Sequence, residues 1–150
     1  MMPETIKFYR VKAPFGFCGN YYPSKLFIYG RWWKNVEAPY QSMKSLYEED
    51  RVKIWEAKTA NEARLLGQKI RMHEGWDTNK YSVMYECVLS KFLQNNDIRK
   101  ELLATGDANL VEDSPVDYYW GCGVDGTGQN NLGKVLMQVR DLLKGEPDGI

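Results

Sequence analysis

Two polar segments of this chain carry the residue types that chemistry needs. The first, EDSPVDYYWGCGVDGTGQNNLG at Glu112 to Gly133, combines acids, aromatics, paired asparagines and glycines at 121, 123, 126, 128 and 133. Asp117 and Trp120, three residues apart, offer a charge and a flat stacking face, and glycines at that density let a backbone turn sharply and approach a ligand. Such a segment suits one wall of a small-molecule site better than a core. The second, EAPYQSMK at Glu37 to Lys44, follows the aromatic pair Trp32-Trp33. A helix beginning at Glu37 places Glu37, Gln41 and Lys44 on one stripe, at i, i+4 and i+7. Pro39 is compatible with that helix only in its first turn. A carboxylate and an amine on one helix face are as a rule a solvated ion pair, so spacing alone leaves the bland and the catalytic readings both open.

The elements that must position these residues read as a mixture. Ile6 to Val11 and Lys25 to Tyr29 are short, aromatic and β-branched, and suggest a small sheet or hairpin, with Ala13 to Tyr22 a loop between them. Tyr47 to Trp55 reads as a helix with Ile54 and Trp55 as core candidates, and Asn61 as the cap of a helix over Glu62 to Ile70. Tyr81 to Gln94 has a helical apolar period through Val83, Met84, Cys87, Val88, Leu89 and Phe92, and Asp97 opens another helix through Leu103. Leu132 to Leu143 forms the closing helix, its apolar face being Leu132, Val135, Leu136, Val139 and Leu143, with Gly145 at its end. The tail from Gly145 to Ile150 is expected to fray. No fixed-period repeat or linker interrupts this pattern, so one domain over 1–150 is expected.

Composition excludes several function classes. A chain of 150 residues, 43% hydrophobic, is long enough to bury a sizeable core. Twenty basic and twenty acidic side chains cancel, so no global field attracts nucleic acid or a membrane surface. Cys18, Cys87 and Cys122 are odd in number and lack zinc-type spacing, which points to reduced thiols, no metal and a cytoplasmic setting. No window approaches a membrane span. His73, the only histidine, lies in the polar run RMHEGWD and reads as a surface residue.

The motifs taken together resemble those of the NADAR family, also called YbiA-like. GFCGNYYPS at Gly16 to Ser24 is similar to the family's F-L-S-N-F-Y-P-S element, EAPYQSMK to its E-H-x-x-Q-x-x-K, and KFLQN at Lys91 to Asn95 to a further family element. LLATGDANLVEDSPVDYYWGCG at Leu102 to Gly123 is similar to L-L-x-T-G-x-x-x-L-V-E-x-S-x-x-D-x-x-W-G-x-G, and NLGKVLMQVR at Asn131 to Arg140 to the closing helix. Two departures stand out: Ala38 where the family carries His, and Gly19 where it carries Ser.

The resemblance implies an α+β fold, a single compact and mainly helical domain with a small N-terminal β-hairpin or sheet. It also implies an N-glycosidase that cleaves the bond between a ribose C1′ and an amine or base nitrogen, without a cofactor or metal. The substrates implied are small-molecule nucleotides such as riboflavin-pathway phosphoribosylamino-pyrimidines, or ADP-ribosylated guanine, including in ADP-ribosylated DNA or RNA. A silent module binding ADP-ribose or NAD-derived ligands is the alternative that the missing histidine leaves open. Bond cleavage through an oxocarbenium-like state asks for a carboxylate, a nucleophile and a proton source. Glu37, Lys44 and Asp117 are the catalytic candidates: Lys44 as a desolvated amine attacking C1′, Glu37 orienting it or moving protons, and Asp117 holding sugar hydroxyls or serving as the alternative acid/base. Trp76 and Trp120 are candidates to stack on the base, and Asn20 and Asn131 to bind ribose or phosphate. Gly19 and the glycines from Gly121 to Gly128 are candidates to present backbone N–H groups. For Trp76 a core position is an equal alternative, and Lys91 and Arg140 read as phosphate ligands or as charges on helix faces. Glu112 reads as a scaffold acid.

Overall fold

The computed structural model describes residues 3–145. The chain divides into two compact units, one joining the N-terminal stretch to Gly19 with the chain from Asn96 onward, the other formed by Asn20–Asn95. Both mix helices with a two-stranded sheet, which makes the fold α+β.

In the first unit β1 (Thr5–Phe8) pairs in parallel with β4 (Asn109–Glu112), Thr5 opposite Asn109 and Phe8 opposite Glu112. Ile6 and Phe8 alternate inward and Leu110 is fully buried, as a strand with one covered face requires. Helix α5 (Asn96–Ala104) and helix α6 (Asn131–Lys144) complete the unit. On α6 the expected face, Leu132, Val135, Leu136, Val139 and Leu143, is buried throughout. Gly133 explains how closely α6 crosses the sheet: a Cβ there would lie 2.0 Å from the Leu110 carbonyl oxygen. Just before it, Asn130 adopts a left-handed conformation, and its side chain accepts from Glu112 N and donates to Leu110 O, both at 2.9 Å. The helix start is thereby tied to β4 like an extra rung.

In the second unit β2 (Leu26–Ile28) and β3 (Arg31–Trp33) form an antiparallel hairpin. Its two-residue turn, Tyr29-Gly30, has positive φ at both positions, the geometry that matches strand twist. Helices α1 (Glu37–Ser42), α2 (Glu48–Trp55), α3 (Ala60–Gly67) and α4 (Trp76–Gln94) follow. Leu26, Trp33, Val36, Ile54, Ala63, Met84, Cys87, Val88 and Phe92 are the core. Each large side chain of this kind contributes about 1.5–3 kcal/mol on burial.

Several expectations are corrected. The segments beginning at Ile6 and Lys25 do not pair with each other: β1 takes a partner a hundred residues away, and β2 folds back at once on β3. Trp55 is 47% exposed, whereas its neighbour Ile54 is fully buried, because consecutive helical residues point about 100° apart. The Trp55 indole N–H donates to Trp32 O instead, and Arg31 lies over its ring. The cap of α3 is Thr59, whose hydroxyl accepts from Glu62 N, not Asn61. Helix α4 begins at Trp76, five residues before the apolar period becomes regular. The tail beyond 145 lies outside the described residues. No described helix is long and apolar enough to cross a membrane.

Candidate functional site

Helix α1 is short, and what starts it also builds the site. Asn35 Oδ1 accepts from Ala38 N at 2.9 Å, and the Asn20 carbonyl accepts from Glu37 N at 3.2 Å, so two of the helix's free N–H groups are satisfied from outside it. Glu37 is then buried, 7% exposed, and its Oε2 accepts from Gln41 Nε2 at 2.7 Å, one turn along. Lys44 follows just past the helix end. Its Nζ lies 3.5 Å from the Gly67 carbonyl oxygen, and its own carbonyl accepts from His73 N at 2.8 Å. Glu37 and Gln41 share the face read from the spacing and lie inside the protein rather than on a solvated face, whereas the helix stops at Ser42 and Lys44 is carried by the turn that follows.

Electrostatics bear on the amine. Burial pushes the Lys44 pKa below the ordinary lysine value; the Glu37 carboxylate opposes that and the Lys80 ammonium adds to it. The desolvated amine is therefore easier to deprotonate than a surface lysine, which is what a nitrogen nucleophile requires. The thiols move the other way: burial pushes both Cys87 and Cys122 up, away from the reactive thiolate. Among the described residues no three His, Cys, Asp or Glu side chains are grouped so as to hold a metal ion.

Around this pair, Asn20 donates from Nδ2 to Met84 Sδ at 3.4 Å, while its Oδ1 is buried without a hydrogen-bond partner among the described residues. Asp50 ties the residue after Lys44 to the segment at Arg71. Its Oδ2 accepts from Ser45 Oγ at 2.7 Å and from Arg71 Nε at 2.9 Å, and these bonds hold the carboxyl at a pKa of about 2.

A second cluster belongs to the other unit. Asp117 Oδ1 accepts from Tyr119 N at 3.0 Å and from Trp120 N at 2.7 Å, closing a turn that carries the Trp120 indole edge-on against the Tyr119 ring. The carbonyls of Tyr119 and Trp120 accept in turn from Asn131 N and Leu132 N, so the first residues of α6 are stitched to this loop.

The model of the NADAR domain matches residues 7–144. The chain belongs to the NADAR domain family. It is 42% identical over 145 residues to an N-glycosidase of Nostoc punctiforme, covering 93% of each chain, and 32% identical to the N-glycosidase YbiA of Escherichia coli, covering 95% of this chain and 91% of that one. It is 38% identical to a riboflavin biosynthesis protein of Vibrio vulnificus, of which it spans 40% of the length. The NMR structure of E. coli YbiA superposes with a TM-score of 0.87 at 33% identity, over 96% of this chain and 88% of that one.

Within this NADAR domain the site residues read from sequence fall into the two units. Asn20, Glu37, Lys44 and Trp76 lie in one, and Gly19, Asp117, Trp120, Gly121 and Asn131 in the other. Trp76 is only 3% exposed, its ring packed on Tyr40 and edge-on to His73, so it backs the Lys44 turn instead of presenting an open face. His73 is half-buried rather than a surface residue, with Nδ1 accepting from Gly75 N. Gly19 already spends its N–H on Gly16 O, and Gly128 its own on Cys122 O. Gly121 is buried where a Cβ would press on Ser114 and on two backbone oxygens. Close backbone packing accounts for Gly121 and Gly128 without a ligand. Lys91, 1% exposed with its Nζ over the Tyr22 and Phe92 rings, and Arg140, bonded to Thr105 Oγ1, are buried groups rather than helix-face charges.

Ala38, which replaces the family histidine, projects away from the stripe and lines a cleft of about 390 Å³ with Trp32, Trp33, Lys34, Trp55 and Lys58. Its exchange therefore leaves the contact between Glu37 and Gln41 untouched. Sequence reasoning placed Gln41 on the stripe without assigning it a role, and missed Gly67 and Lys80. For Gly67 the signal was a glycine inside the helix expected over Glu62 to Ile70; the helix in fact ends at Gly67.

Proposed function

We propose that this NADAR domain is an N-glycosidase that hydrolyses the bond between C1′ of a phosphorylated or ADP-linked ribose and an amine or base nitrogen, with Lys44 as the nucleophile and Glu37 as the group that moves protons. The observation that carries this reading is the half-buried Lys44 amine seven residues beyond a buried carboxylate that is itself held by Gln41. A solvated ion pair would need neither the burial nor the third residue.

The Lys44 ammonium first passes a proton to the Glu37 carboxylate; the lone pair of Lys44 Nζ then forms a bond to C1′ while the C1′–N bond breaks, its electron pair leaving on the departing nitrogen, which takes that proton from Glu37. Positive charge that builds on the ring in passing is stabilised by the carboxylate side of the site. The bonded nitrogen returns a proton to the Glu37 carboxylate, the C1′–O4′ bond breaks with its electron pair and that proton going to O4′, and an imine is left; water adds to C1′, the bond to Lys44 breaks, and the amine and an open-chain aldehyde are released. The net reaction consumes one water. Asn20 Oδ1, buried and without a donor, is suited to accept from a ribose hydroxyl.

Two relatives bear the name N-glycosidase over almost their full length, and another is named for riboflavin biosynthesis, which supports a metabolite of phosphoribosylamino-pyrimidine type. The test is incubation with those pyrimidines and, separately, with DNA carrying ADP-ribosylated guanine, following release of ribose phosphate or ADP-ribose by mass spectrometry. Borohydride added during turnover is expected to reduce the imine and leave the sugar on Lys44. Release without a trapped adduct, and unaltered turnover in Lys44→Ala, would remove Lys44 from the mechanism. No release from either substrate, with ADP-ribose still bound, would make the domain a silent binder.

A further inference from the structure

Gly67 closes α3, and its backbone φ lies outside the left-handed region, so nothing in the backbone asks for glycine. Alanine is the better helix former at such a position. What opposes it is space, since a side chain here would have to displace Gln41. A Cβ built at Gly67 would lie 2.1 Å from Gln41 Oε1 and 2.7 Å from Gln41 Cδ, so the carboxamide of Gln41 occupies the volume any side chain here would need.

With Glu37 ionised, as it is before the amine gives up its proton, the carboxylate can only accept, so the group facing Glu37 Oε2 at 2.7 Å is Nε2, and Oε1 is directed at Gly67. Oε1 is buried and takes no hydrogen bond among the described residues, so no donor fixes it; the shape of the seat does. The carbonyl of the same glycine lies 3.5 Å from Lys44 Nζ. One residue therefore touches both arms of the stripe.

We propose that Gly67 is a positioning residue: its missing side chain seats Gln41, Gln41 fixes the Glu37 carboxylate, and its carbonyl oxygen helps to place the Lys44 amine. This inference rests on the reading of Glu37 and Lys44 as the working pair. The test is a cycle of Gly67→Ala, Gln41→Ala and the double variant, read by steady-state turnover, by its pH profile and by thermal unfolding. Gly67→Ala alone is expected to lower kcat about tenfold or more, with KM changed far less, and in the Gln41→Ala background to change kcat by less than about twofold, because the seat is then empty. Equal losses in both backgrounds would overturn the proposal and make Gly67 a packing residue of α3. If the domain releases no product from any substrate, the reading of the working pair fails but the seat is still tested by unfolding. The double variant is then expected to be at least as stable as Gln41→Ala, and additive losses in stability would overturn the seat. Should Gly67→Ala alone not fold, the double variant against Gln41→Ala still decides.

Discussion

Replacing Gln41 by Ala should separate activity from stability. Gln41 and Glu37 are 5% and 7% exposed, and the bond between them is a buried, charge-assisted one of 2.7 Å. A bond of that kind contributes about 1.5–3 kcal/mol. The same substitution, however, removes Oε1, an acceptor buried without a donor among the described residues, and such a group costs about 1–3 kcal/mol. The two offset in part, so the melting temperature is expected to move by no more than about 8 °C. Turnover has no such offset, since Oε1 does not touch Glu37 and the whole loss of Nε2 falls on the carboxylate's placement. At about 1.4 kcal/mol per factor of ten, the expected fall in kcat is about 10- to 150-fold. Steady-state release of the sugar phosphate, measured beside a calorimetric melt of the same sample, reads both quantities. A kcat within about threefold of the parent would refute the reasoning. So would a large drop in melting temperature that tracks the loss of activity, which would mark Gln41 as a core residue and nothing more.

Two other expectations test the electrostatics. Lys80→Met removes a like charge that lowers the Lys44 pKa, so that pKa should rise and the limb of the pH–rate profile on which the free amine forms should move to higher pH; a limb that stays put would mean another group titrates there. Asp50→Asn bears on acid stability. The Asp50 carboxyl titrates at about 2 in the folded chain against an ordinary 3.8, so it contributes stability that is complete above the ordinary value and is lost as pH falls through about 2. The variant should be less stable at neutral pH, with the gap closing in acid, as urea unfolding across that range would show; a constant gap would mean the hydrogen bonds to Ser45 and Arg71 do not depend on the charge.

How far the sequence reaches depends on whether the deciding interaction is local. The periodicity of Leu132 to Leu143 fixes one face of α6, and that face is the buried one. The spacing of Glu37 and Gln41 puts two polar side chains on one helix face whatever surrounds it. Thr59 and Glu62, a capping box, were legible too, although Asn61 drew the assignment. These rest on geometry within a turn or two of chain.

The remainder was settled by partners distant in sequence. A strand as short as Asn109–Glu112 is recognisable only once Thr5–Phe8 lies beside it. Trp55 and Ile54 are equally apolar on paper, and only the packing of α2 sends one inward. Lys91 and Arg140 look like helix-face charges until the fold buries them. The tryptophan Trp76 is an open stacking face or a core ring according to where Tyr40 comes to rest. The clearest case is the pair at the site. Sequence alone placed an acid and an amine seven residues apart on one helical stripe. Whether that pair is a solvated ion pair or a desolvated amine beside a buried carboxylate was decided by tertiary structure, because desolvation comes from the packed surroundings as a whole, and the glycine that seats their neighbour arrives from a different helix.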